Sequence, residues 1–258
     1  MSEFEQLGWV TVGPENIDKE HICCAITDKK GETCVSSKKA WMKERFTDGL
    51  VFLRLNARGK AFIEYIPAEN AWCPIEADGY LHINCFWVSG KFQGHGIAGQ
   101  LLEKCIEDAK TKGKLGLTVI ASEKKKPFLS DPGYLKRHGF LAADTASPYF
   151  VLYYLPFTEN APAPKFKECA KYGKVEEPGM VLYYTNQCPH TDKYAPFIGE
   201  VAKKRGAAFT LHKIETIKEA QNAPTPFPTY SFFYEGEFVT NEIFSEKKFL
   251  QFLESHGL

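Results

Sequence analysis

The sequence predicts an α+β domain, a mixed and mostly antiparallel sheet with flanking helices, followed by a smaller α/β domain. Three observations predict it. A glycine-rich stretch from Val88 to Gln100 separates an alternating, strand-like run, Tyr80 to Val88, from an amphipathic helical run, Ile97 to Ala109. Ahead of it, the apolar runs Leu50–Leu55 and Ala61–Ile66 flank a turn at Asn56–Lys60, the signature of a hairpin. Beyond Gly179 the pattern becomes strand, helix, strand, short helix, strand, strand, helix. These shifts divide the chain into residues 1–157, a connector at 158–178 with Pro162, Pro164 and Pro178, and residues 179–258.

Composition narrows the classes of function. The 258 residues carry 32 Lys+Arg and 32 Asp+Glu, so the formal net charge is zero. Nucleic acid or an anionic membrane is therefore not the expected partner. No apolar run approaches the ~20 residues of a membrane span, and Met1 to Gln6 lacks the basic start and apolar core of a signal peptide. A cytoplasmic protein is expected. Its eight cysteines are irregularly spaced and several fall in strand- or helix-like runs, so most are expected to be reduced and buried.

In chain order, Gly8–Val12 reads as a short strand, and Pro14 opens an expected helix running through Cys24. Ser36–Phe46 reads as a second helix with a serine N-cap. His21, Cys23 and Cys24 match no zinc spacing, and no metal is expected. Trp72-Cys73-Pro74, in the loop before Tyr80, is placed either over an acceptor or on the sheet edge. Met180–Thr185 opens the second unit as a strand, and Cys188 stands at the start of a helix reaching about Arg205.

The central stretch has a physical logic of its own. The first turn of a helix carries unpaired N–H groups and the positive end of the helix dipole, and glycine admits a ligand close to the backbone. Gly94 and Gly96, just before the helix, therefore suit an anion such as a phosphate. A Walker loop is excluded, because Ile97-Ala98 follows Gly96 where that loop needs Lys-Ser or Lys-Thr. Gly94-His95-Gly96-Ile97-Ala98-Gly99 fits G-x-G-x-x-G, but the antiparallel hairpins before it do not fit a dinucleotide fold.

Read instead from Gln93 to Ala98, the stretch is Q-x-x-G-x-A, which resembles motif A of the GNAT acetyltransferases. The order of elements around it, including Leu117–Ala121 and Tyr134–Phe140, resembles the same family. The resemblance implies the GNAT fold and acetyl-CoA as cosubstrate. It further implies that backbone N–H groups across Gln93, Gly94, His95, Gly96, Ile97 and Ala98 hold the pyrophosphate, and that Phe86, Trp87 and Val88 pair with pantetheine. The strand before the motif should part from Leu117–Ala121 in a V. The acceptor side falls to the first two helices and the loop between them, so Glu20 to Cys24 become lining candidates. Lys124, Lys125 and Lys126 could meet the 3′-phosphate or lie in a solvated loop.

For the transfer itself, the resemblance implies direct attack by an amine, with a base on or beside the strand before motif A. His82 is the first candidate, and its place in the alternation with Asn84 and Phe86 is equally that of a core histidine. Glu64 is the second, unless its carboxylate faces solvent. Tyr134 is the candidate acid for the leaving thiolate, although it stands one residue, about 100° of helix, before the position at Leu135 where the family has its tyrosine.

The second unit resembles thioredoxin and glutaredoxin, through Tyr184 to Thr191 with its Cys188-Pro-His-Thr191 and through Pro228-Thr229, which falls where that fold has a cis-proline. A cysteine at a helix N-terminus is expected to have a lowered pKa. Thr191 replaces the second cysteine of C-x-x-C, which removes dithiol chemistry within the motif. Together the two units resemble the YoaP-type acetyltransferases. The expected activity is acetyl transfer from acetyl-CoA to an amine of a small molecule or peptide, thiol-bearing acceptors included, with a homodimer left open. Two alternatives stand beside it: a thiol-redox or thiol-conjugate enzyme working through Cys188, and a non-catalytic acyl-CoA sensor.

Overall fold

The computed structural model describes residues 6–22 and 24–258. The first unit contains β1 (Trp9–Val12), α1 (Cys34–Arg45), β2 (Val51–Leu55), β3 (Ala61–Pro67), β4 (Ile75–Glu76), β5 (Tyr80–Val88), α2 (Ile97–Thr111), β6 (Gly116–Ser122), α3 (Pro132–Arg137), β7 (Leu141–Ala146) and β8 (Phe150–Pro156). Seven strands form one sheet in the order β1-β2-β3-β5-β6-β8-β7. Its only parallel pair is β5 with β6, the two strands that α2 connects.

Alternation along the strands divides the core between the two faces. Ile63 and Tyr65 of β3 and Ile83 of β5 pack with Leu101, Leu102 and Cys105 of α2 on one face. Phe62 and Ile66 of β3 and Tyr80 of β5 pack with Trp41 and Met42 of α1 on the other. The apolar residues of α2 recur at helical spacing and are buried, each leucine contributing about 1.5–3 kcal/mol. Truncating fully buried Leu101 to alanine would cost about 2–5 kcal/mol.

The ladder between β3 and β5 slips at one point. Glu64 pairs with Cys85 while Tyr65 pairs with Ile83, leaving Asn84 as the extra residue of a β-bulge. A bulge of this kind turns two consecutive side chains toward one face. Cys85 accordingly joins Asn84 on the α1 face, where the Asn84 amide donates to Glu64.

The second unit contains β10 (Met180–Tyr184), α4 (Pro189–Lys204), β11 (Phe209–Lys213), α5 (Ile217–Ala220), β12 (Tyr230–Tyr234), β13 (Glu237–Thr240) and α6 (Glu246–Ser255), with β9 (Lys165–Phe166) in the connector before it. Its sheet runs β11-β10-β12-β13, with β10 parallel to β11 and antiparallel to β12. The two units share one interface. Ser37 and Thr33 at the start of α1 donate to Asp192 of α4 at 2.8 and 3.1 Å, and Lys193 pairs with Glu32 at 2.7 Å. Across the opposite flank, Asn241 donates to the Pro127 carbonyl and accepts from Tyr149.

Several expectations need correction. Residues 14–20 form turns rather than a helix, because the Asn16 side chain accepts from Gly13 N and donates to Thr11 O, competing with helical hydrogen bonding. Helix α1 begins at Cys34, before Ser36, because the Asp28 carboxylate accepts from the N–H groups of Val35 and Ser36 and caps the helix from the preceding loop. Strand β7, alanine-rich and on the sheet edge, escaped the reading and is held by pairing with β8. The connector is packed rather than loose: β9 pairs with β4, and Phe166 is fully buried. The cis peptide among the described residues is Ser147–Pro148, so Phe227–Pro228 is trans. Met1 to Glu5 and Cys23 lie outside the described residues, and with them the signal-peptide reading and part of the predicted first helix. No helix among the described residues is long and apolar enough to cross a membrane.

Candidate active site

Strands β5 and β6 pair from Tyr80–Gly116 to Ile83–Val119 and then separate. Phe86, Trp87 and Val88 remain bonded to β3 on one side and have an open edge on the other, the V that the sequence implied. A 3₁₀ turn, Gly90–Phe92, leads from this edge to the glycine loop. Gly94 and Gly96 both take the left-handed backbone conformation, at φ +80° and +74°. A Cβ at Gly94 would have no neighbour within 4 Å, and one at Gly96 would meet only the tip of Gln100. The space in front of the loop is open to solvent, and α2 starts there at Ile97 with its first N–H groups free. Gln93 and His95 are exposed, and the Gln93 amide donates to the Val88 carbonyl at 3.2 Å, tying the loop to the open edge. The residues present fit a pyrophosphate: a glycine cradle, free N–H groups and a helix dipole at one place.

Through the V, on the α1 face, lies a cavity of about 400 Å³. Its floor is Asn84, Cys85 and Trp87 of β5 with Ile120 of β6, and its roof comes from the second unit, through Gln187, Cys188, His190, Phe227 and Ile243. Cys24 of the N-terminal segment and Phe128 of the β6–α3 loop close the sides. Of the described residues from Glu20 to Cys24, only Cys24 lines the cavity. Glu20 pairs with Arg54, His21 bonds the Gly59 backbone, Ile22 is in the core, and Cys23 is outside the described residues. Trp72 and Cys73 are buried beside a second, water-sized cavity that Asn84 and Gln187 also line.

The two base candidates are enclosed in the protein. Glu64 is fully buried, with Oε2 at 2.7 Å from Lys38 Nζ and Oε1 accepting from Asn84 Nδ2 at 3.1 Å. It is neither solvent-facing nor free to take a proton from a substrate. His82 is buried with Nδ1 at 3.0 Å from Thr118 Oγ1 and Nε2 at 3.6 Å from Cys73 Sγ. Burial pushes its pKa down to about 4, so it stays neutral and is a weak base. It lines the small cavity and not the large one.

Tyr134 lies beside the V despite its offset in sequence. Its ring meets Phe86 edge-on at 5.5 Å and stacks on His138 at 4.0 Å, while Leu135 turns into the core. The hydroxyl is buried without a hydrogen-bond partner among the described residues. Burial, helped by the Glu103 carboxylate, pushes its pKa up to about 12, so the phenol holds its proton at neutral pH.

Cys188 is the N-cap residue of α4 and lines the cavity. The expected lowering of its pKa is overturned. Burial pushes it up to about 12, outweighing the N–H groups of His190 and Thr191 that favour the thiolate. Burial likewise raises the thiols of Cys24 and Cys85, which share the cavity. Among the described residues no cluster of three or more His, Cys, Asp or Glu is placed to hold a metal ion.

Sequence reasoning missed Asn84, Lys60 and His190 as site residues, along with the whole roof. Asn84 stands in the alternation with His82, but its bond to Glu64 is not legible there, and contacts between units leave no mark on local pattern. His190 was visible within the Cys-Pro-His-Thr motif and carries a lowered pKa through burial, with Lys60 and Lys193 adding to it.

Comparison with known proteins agrees with this architecture. The model of the acetyltransferase (GNAT) family matches residues 21–140, and the YoaP-like model matches residues 208–251. The uncharacterized N-acetyltransferase YoaP of Bacillus subtilis (strain 168) is 42% identical over 247 residues, covering 96% of this chain and 98% of the relative. The chain belongs to the GNAT acetyltransferase family, in its YoaP-like branch. Among solved structures it is similar to a GNAT family acetyltransferase from Brucella melitensis in complex with acetyl-CoA, at 16% identity over 62% of this chain and 94% of that one, with a TM-score of 0.39. It is also similar to the PaiA N-acetyltransferase of Thermoplasma acidophilum in complex with coenzyme A, at 14% identity over 62% and 99% and a TM-score of 0.38.

Proposed function

We propose that the protein transfers an acetyl group from acetyl-CoA directly to an amine that enters the cavity beneath the second unit. The observation that carries this reading is the placement of the glycine loop at the N-terminus of α2, beside the open edge of β5, with the cavity directly across the V. Bound there, acetyl-CoA supplies an activated acyl carbonyl. The backbone N–H groups from Gly94 to Ala98 would hold the phosphates, and the edge of Phe86 to Val88 would align the chain that leads to the V. Tyr134, protonated and unpartnered next to Phe86, is the group suited to give a proton to the departing thiolate. His190 is the neutral imidazole of the cavity lining and the group suited to take the proton of the attacking amine.

In this reading residues 1–157 form the catalytic unit, residues 158–178 the connector, and residues 179–258 a thioredoxin-like unit. The strand order and the position of Cys188 before α4 support that likeness. The second unit acts as a roof over the acceptor. A thiol-redox role for Cys188 draws less support, because a thiol held protonated is a poor nucleophile.

The test is release of coenzyme A thiol from acetyl-CoA over a panel of amines. Turnover with an amine acceptor, abolished in Gly96→Asp, is the expected result. Absence of turnover across the panel, with acetyl-CoA bound, would favour a sensor instead.

A further inference from the structure

Two side chains in the cavity are left with a hydrogen bond to make. Asn84 Oδ1 and Gln187 Oε1 are buried and lack a donor among the described residues, although both residues line the cavity. Leaving such an atom unsatisfied is costly, and sites built to bind a donor carry that cost when free. The Asn84 amide cannot turn to relieve it, because Nδ2 is fixed on Glu64 Oε1 at 3.1 Å and Glu64 Oε2 is fixed on Lys38 Nζ at 2.7 Å. Asn84 stands at the bulge where β5 leaves β6, at the apex of the V. Glu64 fixes the orientation of the Asn84 amide, so its free atom is an acceptor and the missing group there is a donor such as N–H.

The charge of the lining adds a second constraint. Among the described residues no acidic side chain lines the cavity, and Lys60 is the one lysine or arginine that does. With no carboxylate among the described lining residues and a largely apolar wall, desolvation disfavours the ammonium ion and favours the nucleophilic, neutral amine. Lys60 is the last turn residue before β3 and lies four residues from Glu64 along the chain. At the rise of a strand this is about 13 Å. Between the two ends the lining is largely apolar, through Phe86, Trp87, Phe128 and Ile243.

We infer that the acceptor is a primary amine carrying an anionic group on an apolar body, held with its amine at Asn84 and Gln187 and its anion at Lys60. The inference rests on the acetyltransferase reading and specifies the acceptor of that same site. The separation favours a dipeptide or an ω-amino acid over a free α-amino acid, since the flexible lysine stem spans part of the distance but not all of it. Asn84 and Gln187 touch the substrate in this assignment. Glu64 and Lys38 act through Asn84 and are positioning residues. The second unit is then part of the catalytic site, because Gln187 belongs to it.

The experiment compares initial rates for chain-matched acceptors: ω-amino acids, the alkylamines lacking the carboxylate, diamines of equal length, apolar dipeptides and α-amino acids. Wild type, Lys60→Met, Asn84→Leu and Gln187→Leu are assayed, and acetyl-CoA binding is measured by calorimetry for each. The expected result is a preference for the anionic acceptors of about tenfold in kcat/KM, lost in Lys60→Met. Lys60 is exposed, so this variant is not expected to disturb folding. Asn84→Leu and Gln187→Leu should each lower kcat/KM by about tenfold through the acceptor, with acetyl-CoA binding kept. Equal rates on anionic and neutral acceptors in the wild type, or an unchanged preference in Lys60→Met, would overturn the inference while leaving the acetyltransferase intact. Failure of the wild type to bind acetyl-CoA would overturn the acetyltransferase reading itself.

Discussion

Lys38 Nζ lies 2.7 Å from Glu64 Oε2, and neither side chain reaches solvent. The pair joins α1 to the centre of the sheet, and its second carboxylate oxygen holds Asn84. Two charges in the interior are costly unless each has its partner, so breaking the pair from one side is worse than removing both. Lys38→Met should destabilise the protein by about 3–5 kcal/mol, whereas Lys38→Met combined with Glu64→Leu should recover much of that loss. Urea unfolding of the two variants measures the difference. Equal loss in the single and double variants would show that packing, not the uncompensated charge, sets the cost.

His82 gives the fold a dependence on pH. Its pKa is about 4 when folded and about 6.5 when free. A depressed folded value means that the stability is fully present above the free value and falls as pH drops from 6.5 toward 4. Between about pH 7.5 and pH 5 the loss from this one group should reach about 2 kcal/mol. Urea midpoints at the two pH values measure it, and His82→Gln should show a shallower decline than the wild type. Parallel declines would mean that His82 is not buried as a neutral group.

Tyr134 is predicted to act on the leaving group. Tyr134→Phe keeps the ring contact with Phe86 and removes the hydroxyl. Loss of a general acid typically lowers the rate by about 10² or more, so kcat should fall by that order while the KM for acetyl-CoA changes little. Steady-state kinetics with one good acceptor decide it. An unchanged kcat would leave Tyr134 a packing residue.

Cys188 is predicted to be inert at neutral pH. With its pKa near 12, only about one thiol in 10⁵ is ionised at pH 7. Alkylation by iodoacetamide should be slow there, as mass spectrometry of peptides would show, and Cys188→Ala should retain acetyl transfer. Rapid labelling together with loss of activity in Cys188→Ala would restore the thiol reading.

The parts of the fold legible in the sequence are those fixed by local pattern. The alternation from Tyr80 to Val88, the glycine pair and the apolar stripe of α2 placed the strand, loop and helix that the structure shows. What escaped depends on partners distant in the chain. Asp28 caps α1 from a loop, β7 owes its existence to β8, and Phe166 buries a connector that reads as a linker. The same limit governed the site. Glu64 and Cys188 were found by position, but their environments were not legible: one is locked by Lys38, and the other is buried by the meeting of the two units. Asn84 kept its place in the alternation with His82, but its bond to buried Glu64 and the bulge that brings Cys85 to the same face are set by the neighbouring strand.

Binding of acetyl-CoA to wild type, Gly96→Asn and Gly96→Asp, measured by calorimetry, tests the central claim most directly. Both side chains tolerate the left-handed backbone at residue 96 better than most, so the fold is kept, and they differ chiefly in charge. The account predicts binding to the wild type, weakened by Asn and abolished by Asp as the carboxylate meets the phosphates. Binding that is equal in all three proteins would contradict the placement of the pyrophosphate at this loop, and no binding to the wild type would contradict the acetyl-CoA-dependent activity.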